Sequence, residues 1–120
     1  MDIREKLVLI AGILLIISGI THVSQIAVYG IEGHIIGAVL FGIIYFVLGI
    51  LLIMLRDNKI VMLLGAILPS IGGILGVGRL ILFYVLATGE LNFFIIFHVI
   101  VDIIVVPICG YSFFQLREVP

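Results

Sequence analysis

Four apolar stretches, each near the length that crosses a bilayer, take up almost the whole of this chain and leave little else to fold. A hydrocarbon core of roughly 30 Å requires about 20 consecutive apolar residues per helix. Hydropathy places such segments at about Leu7–Tyr29, His34–Leu55, Ile60–Ala87 and Asn92–Gln115. The composition agrees: 64% of the 120 residues are hydrophobic and 11% are charged, far from the balance of a water-soluble domain. The expected fold is all-α and integral to the membrane. It is a single domain over residues 1–120, an up-down-up-down bundle of four transmembrane helices joined by short loops. Such loops offer no room for an active site outside the bilayer, so an enzyme acting on its own is not expected.

The first segment follows the charged lead "MDIREK". Its apolar run is too long for the core of a signal peptide and no Ala-x-Ala-like site follows it, so it is read as a retained helix. A single cysteine, Cys109, excludes an intrachain disulfide and a multi-cysteine metal centre. The net charge of −1 gives no basis for binding nucleic acid.

Basic residues set the orientation. Arg4 and Lys6 precede the first helix, Arg56 and Lys59 sit in "RDNK", and Arg117 follows the fourth helix. The stretches "GIEGH" and "ATGELN" carry Glu32 and Glu90 and no lysine or arginine. The positive-inside rule then predicts both termini and the middle loop to be cytoplasmic.

The halves resemble each other. Aligning residue 6 with residue 59 pairs Lys6 with Lys59, Val8 with Val61, Gly12 with Gly65 and Gly19 with Gly72. Helices 2 and 4 align where Gly49 and "LRD" meet Gly110 and "LRE". A duplicated helical hairpin accounts for both, the halves being related by an axis along the membrane normal.

Glycines seven apart (Gly12/Gly19, Gly42/Gly49, Gly65/Gly72) lay small residues along one stripe of three helices, where backbones approach closely. On helix 3 Gly65, Pro69, Gly72, Gly76 and Arg79 share one narrow face, and Pro69 is expected to kink it. The glycine faces also suit partner helices.

Ionisable residues within a bilayer are costly and need an explanation. At 1.5 Å per residue, counting from the outer ends, His22 lies roughly 11 Å deep, Arg79 roughly 12 Å, His98 roughly 9 Å and Asp102 roughly 15 Å. Ser18, His22 and Gln25 share a stripe of helix 1, and His98, Asp102, Cys109 and Ser112 share one of helix 4. Tyr45 of helix 2 reaches a similar depth. These positions predict a polar cluster of His22, Gln25, Tyr45, Arg79, His98 and Asp102 inside the outer half of the bundle.

Several readings fit this cluster. In a structural one, Arg79 and Asp102 form an intramembrane ion pair between helices 3 and 4, with His98, His22 and Gln25 joining the knot. In a second, His22 and His98 ligate a haem b whose propionate faces Arg79. A third makes His22, His98 and Asp102 ligands of a metal ion, against the opposing charge of Arg79. In a fourth, His98 relays protons to Asp102, or Arg79 holds the head of a quinone, lipid or anionic substrate.

The remaining polar and aromatic positions have plainer readings. His34, at the outer boundary, is read as solvated, with a third metal ligand as its alternative. Tyr29, Tyr84, Phe93 and Phe94 are read as interfacial anchors, Glu32 and Glu90 as loop charges, and Cys109 as packing.

In size and helix number the chain is similar to the small multidrug resistance transporters, four-helix proteins that work as dimers. It departs from them where their membrane-embedded glutamate lies: helix 1 here carries His22, and the chain has no tryptophan. P-loop, HExxH, GxSxG and dinucleotide fingerprints are all missing. The functional expectation is an accessory or structural subunit of a larger membrane assembly, in contact with lipid and with other subunits or its own copies. A cofactor-binding or proton-coupled protein built on the polar cluster is the alternative.

Overall fold

A computed structural model describes residues 1–31, 33–82 and 93–118, apart from the side chain of His34. Within them lie four helices: α1 (Ile3–Tyr29), α2 (Gly33–Met54), α3 (Lys59–Leu80) and α4 (Phe93–Arg117). All four are long and apolar enough to cross a membrane. The chain is therefore a small multi-pass membrane protein with a four-helix bundle. Glu32, Tyr84 and Glu90 lie outside the described residues, as does the expected end of the third helix near Ala87.

Local chemistry sets the helix ends. α1 starts four residues earlier than hydropathy alone places it, because Asp2 and Glu5 form a capping box. The Glu5 N–H donates to Asp2 Oδ1 at 2.8 Å and the Asp2 N–H to Glu5 Oε2 at 2.9 Å. It ends at Gly30, whose φ of 77° is open to glycine at no steric cost, and whose N–H reaches the Ile26 carbonyl at 2.9 Å. Between α2 and α3, Asn58 turns the chain and caps α3, its Oδ1 accepting from the Ile60 and Val61 N–H groups at 2.9 and 3.2 Å. α3 and α4 run as single helices through Pro69 and Pro107.

The bundle is two antiparallel hairpins, α1 on α2 and α3 on α4, joined mainly where α1 meets α4. α2 and α3 touch each other least. The glycine stripes are used up within this packing. A Cβ on Gly49 would lie 2.6 Å from the Gly12 carbonyl oxygen, and one on Gly42 3.0 Å from that of Gly19, so α1 and α2 meet backbone to backbone. Gly65 faces Cys109 of α4, and Gly72 faces Tyr45 of α2 and His98 of α4. The six glycines spaced seven apart thus all serve contacts within the chain. Gly12 and Gly65, equivalent in the proposed duplication, each face the returning helix of their own hairpin.

Val8, Ala11, Leu15, Leu48, Leu52, Met62, Val101, Val105 and Cys109 form the apolar core toward the end that bears the termini. At that end Arg4 bonds Asp57, donates to the Arg56 carbonyl at 2.8 Å and to Ser112 Oγ at 3.0 Å. One side chain so ties the start of α1 to the α2–α3 turn and to α4. Outward-facing Ile13, Ile17, Ile20, Ile43, Val47, Ile67, Ile71 and Ile103 present the apolar surface that lipid tails require.

Candidate functional site: a polar cluster beside a membrane cavity

The polar residues gather in the half of the bundle away from the termini. His98 stands at the centre. Its Nε2–H donates to the Gly72 carbonyl at 3.2 Å, which leaves Nδ1 to accept from the Ser18 hydroxyl at 3.4 Å. A Cβ at Gly72 would collide with the Tyr45 hydroxyl, so glycine at that position makes room for the whole arrangement.

Tyr45 stacks on His98 with centroids 4.8 Å apart and planes inclined by 28°. Its hydroxyl donates to Asp102 Oδ1 at 2.6 Å. Asp102 Oδ2 lies 3.1 Å from His98 Nε2, close enough for attraction. It still makes no hydrogen bond among the described residues, because the Nε2–H is aimed at Gly72. On the other side His22 meets His98 edge-on, centroids 4.1 Å apart, and its Nδ1 accepts from Gln25 Nε2 at 2.6 Å. Ser18, His22, Gln25, Tyr45, His98 and Asp102 thus form one buried network across α1, α2 and α4, seated on the backbone of α3.

Arg79 does not join it as expected. The ion pair with Asp102 is not formed; the Nε and Nη2 atoms of Arg79 are buried and find no hydrogen-bond partner among the described residues. The reason is register. Asp102 packs against Gly73, where a Cβ would sit 3.2 Å from its Oδ2. Arg79 lies six residues further along α3, a rise of about 9 Å. Counting depth from assumed helix ends had set the two at one level.

The haem and metal readings meet the same geometry. Two histidines on one iron at about 2 Å each hold their ring centroids about 6 Å apart, with a porphyrin between them. Here the rings touch at 4.1 Å, and the Nε2 of His98 is spent on Gly72. His22, His98 and Asp102 do not converge on a common point, and no group of three possible metal ligands occurs among the described residues.

What the residues do enclose is a cavity of ≈ 430 Å³. His22, His98 and Arg79 supply its polar lining, Phe41, Ile44 and Leu75 much of its apolar wall, and Gly37, where a Cβ would meet nothing within 4 Å, borders it together with Gly72 and Gly76. It lies where α2 and α3 part. Its rim residues Leu40 and Leu75 are 57% and 51% exposed, so it opens sideways toward the bilayer. His22 is 3% exposed, and its Nε2 has no partner among the described residues. With Nδ1 accepting from Gln25, the ring proton resides on that Nε2. A second cavity of ≈ 590 Å³ lies between α3 and α4, lined by Ser70, Gly73, Asp102, Pro69 and Pro107. Asp102 therefore stands between the network and a second recess.

Sequence reasoning passed over Ser18 as a partner of His98, the Gly72 carbonyl as an acceptor, and the Arg4 junction. Only the stripe shared by Ser18 and His22, and the glycine stripe of α3, signalled the first two. Comparison of the chain with family models, with curated proteins and with solved structures gives no match.

Proposed function

We propose that this small multi-pass membrane protein binds an amphipathic molecule drawn from the bilayer, in the cavity between α2 and α3. The observation that carries this reading is a recess lined by Arg79 and His22, whose buried nitrogens have no hydrogen-bond partner among the described residues, within apolar walls beside exposed Leu40 and Leu75. Buried polar groups are normally paired, because an unpaired one costs about 1–3 kcal/mol. Groups left unpaired beside a space large enough for a small ligand suggest that a ligand completes them. With both termini cytoplasmic, as the basic residues predict, the cavity lies in the outer half of the membrane.

A second reading is the accessory subunit of a larger assembly. The sparse contact between α2 and α3 favours it, since a helix of another subunit could complete that seam. Purification in a mild detergent, followed by native mass spectrometry and lipid extraction, separates the two. A bound small amphiphile lost on Gly37→Leu, a lining position where an added Cβ meets nothing within 4 Å, supports binding. A stable complex with other chains and an empty cavity supports the subunit.

A further inference from the structure

The unpartnered atoms specify the chemistry of the head group. Resting on the reading that the cavity holds an amphiphile, we propose that its head is an oxyanion, a carboxylate or a phosphate monoester. Arg79 holds it through two parallel hydrogen bonds, His22 adds a third, and its hydrocarbon tail leaves between α2 and α3.

Nε and Nη2, the two nitrogens of Arg79 without a hydrogen-bond partner among the described residues, share one edge of the guanidinium; both are closed to water as the bundle packs, so a turn of the side chain brings that edge to the cavity. Their N–H bonds run parallel, which is the fork that matches two oxygens of one carboxylate or phosphate. A ketone or alcohol oxygen offers a single atom to that edge and no charge. The charge matters because a guanidinium stays protonated and needs a counter-charge where water is excluded. Asp102, the intramembrane carboxylate within the described residues, cannot serve. It is held by Tyr45 and His98 and packs at Gly73, a rise of about 9 Å along α3 from Arg79.

His22 lines the same cavity, and its buried Nε2–H is a donor with nothing to receive it among the described residues. Donors alone therefore meet the head, and none of the cavity's polar side chains presents an acceptor to it. This selects an acceptor-rich anion over an amine or a cation. The apolar rim at Leu40 and Leu75 then receives the chain.

The test is equilibrium binding to the purified full chain in nanodiscs of neutral lipid, using three single-chain probes with the same tail: oleate, 1-oleoyl lysophosphatidate and oleyl alcohol. At least one anion should bind about tenfold or more tighter than the alcohol, the worth of one charge-assisted hydrogen bond. The anion with the larger margin identifies the source of the head group, a free fatty acid or a phosphate-bearing lipid. Arg79→Lys keeps the charge but lacks the fork, and should erase most of the margin. Arg79→Gln, checked with it for thermal unfolding, should erase all of it. Equal binding of all three probes overturns the oxyanion head and leaves the cavity reading standing. An undiminished margin in both variants overturns the assignment to Arg79. Failure of every probe to bind removes the cavity reading itself.

Discussion

The Tyr45 hydroxyl donates to Asp102 Oδ1 at 2.6 Å, so the carboxylate buried in α4 is held by a phenol on α2 and not by the guanidinium on α3. This one relationship changes what removal of the charge should do. Tyr45→Phe keeps the ring stacked on His98 but leaves Asp102 Oδ1 bare. It should cost about 1.5–3 kcal/mol, the range for a hydrogen bond to a charged group. Asp102→Asn keeps an oxygen for Tyr45 and unpairs no arginine, so its cost should stay below the 3–5 kcal/mol typical of a broken buried ion pair (about that range in general). Unfolding in mixed micelles measures both, and an Asp102→Asn loss of about 3–5 kcal/mol would restore the ion pair.

Arg79 carries an edge with no hydrogen-bond partner among the described residues, and such a charge weakens the fold that bears it. Arg79→Met should raise the stability of delipidated protein by about 1–3 kcal/mol, as expected for removing an intramembrane charge. The same substitution should abolish stabilisation by added anionic amphiphile. A loss of stability in delipidated protein would mean that Arg79 has a protein partner.

The glycines divide into those that permit contact and those that do not. A Cβ at Gly49 would approach the Gly12 carbonyl to 2.6 Å, whereas one at Gly110 would meet nothing within 4 Å. Gly49→Ala should therefore destabilise by about 1–3 kcal/mol through forced separation of α1 and α2. Gly110→Ala should stabilise by roughly 0.5–1 kcal/mol, because a helix interior gains from losing a glycine. Thermal melts of the two variants side by side decide it, and equal effects would refute the close approach.

Orientation can be read chemically. In a Cys109→Ser background, a membrane-impermeant maleimide should label Ile31→Cys in intact cells. Asp57→Cys, at the turn held by Arg4, should react only after permeabilisation. The reverse pattern would place the cavity in the cytoplasmic half.

The membrane-crossing class and the helix number were legible because hydrocarbon leaves a chain few options. Four long apolar runs must become four helices, since only helices satisfy their own backbone in lipid. The stripes of His22 and Gln25 and of His98 and Asp102 were legible for a related reason, the fixed 100° per residue of a helix. The start of α1 was not, because a capping box lies outside any hydropathy signal, although "DIRE" carries it. Nor was the Arg79 register, since an error of a few residues at a helix end moves a side chain by several ångströms.

That this protein lives in a bilayer, how many times it crosses, and which polar residues face inward follow from the order of residues along the chain, because those depend on periodicity and on the cost of polarity in hydrocarbon. Tertiary structure alone decided who pairs with whom. Antiparallel packing set Asp102 level with Gly73, gave it to Tyr45, stacked His98 on Tyr45 with His22 against its edge, and left Arg79 beside an open cavity. Pairing requires contact within about 3 Å, and only the packed bundle fixes distances that finely.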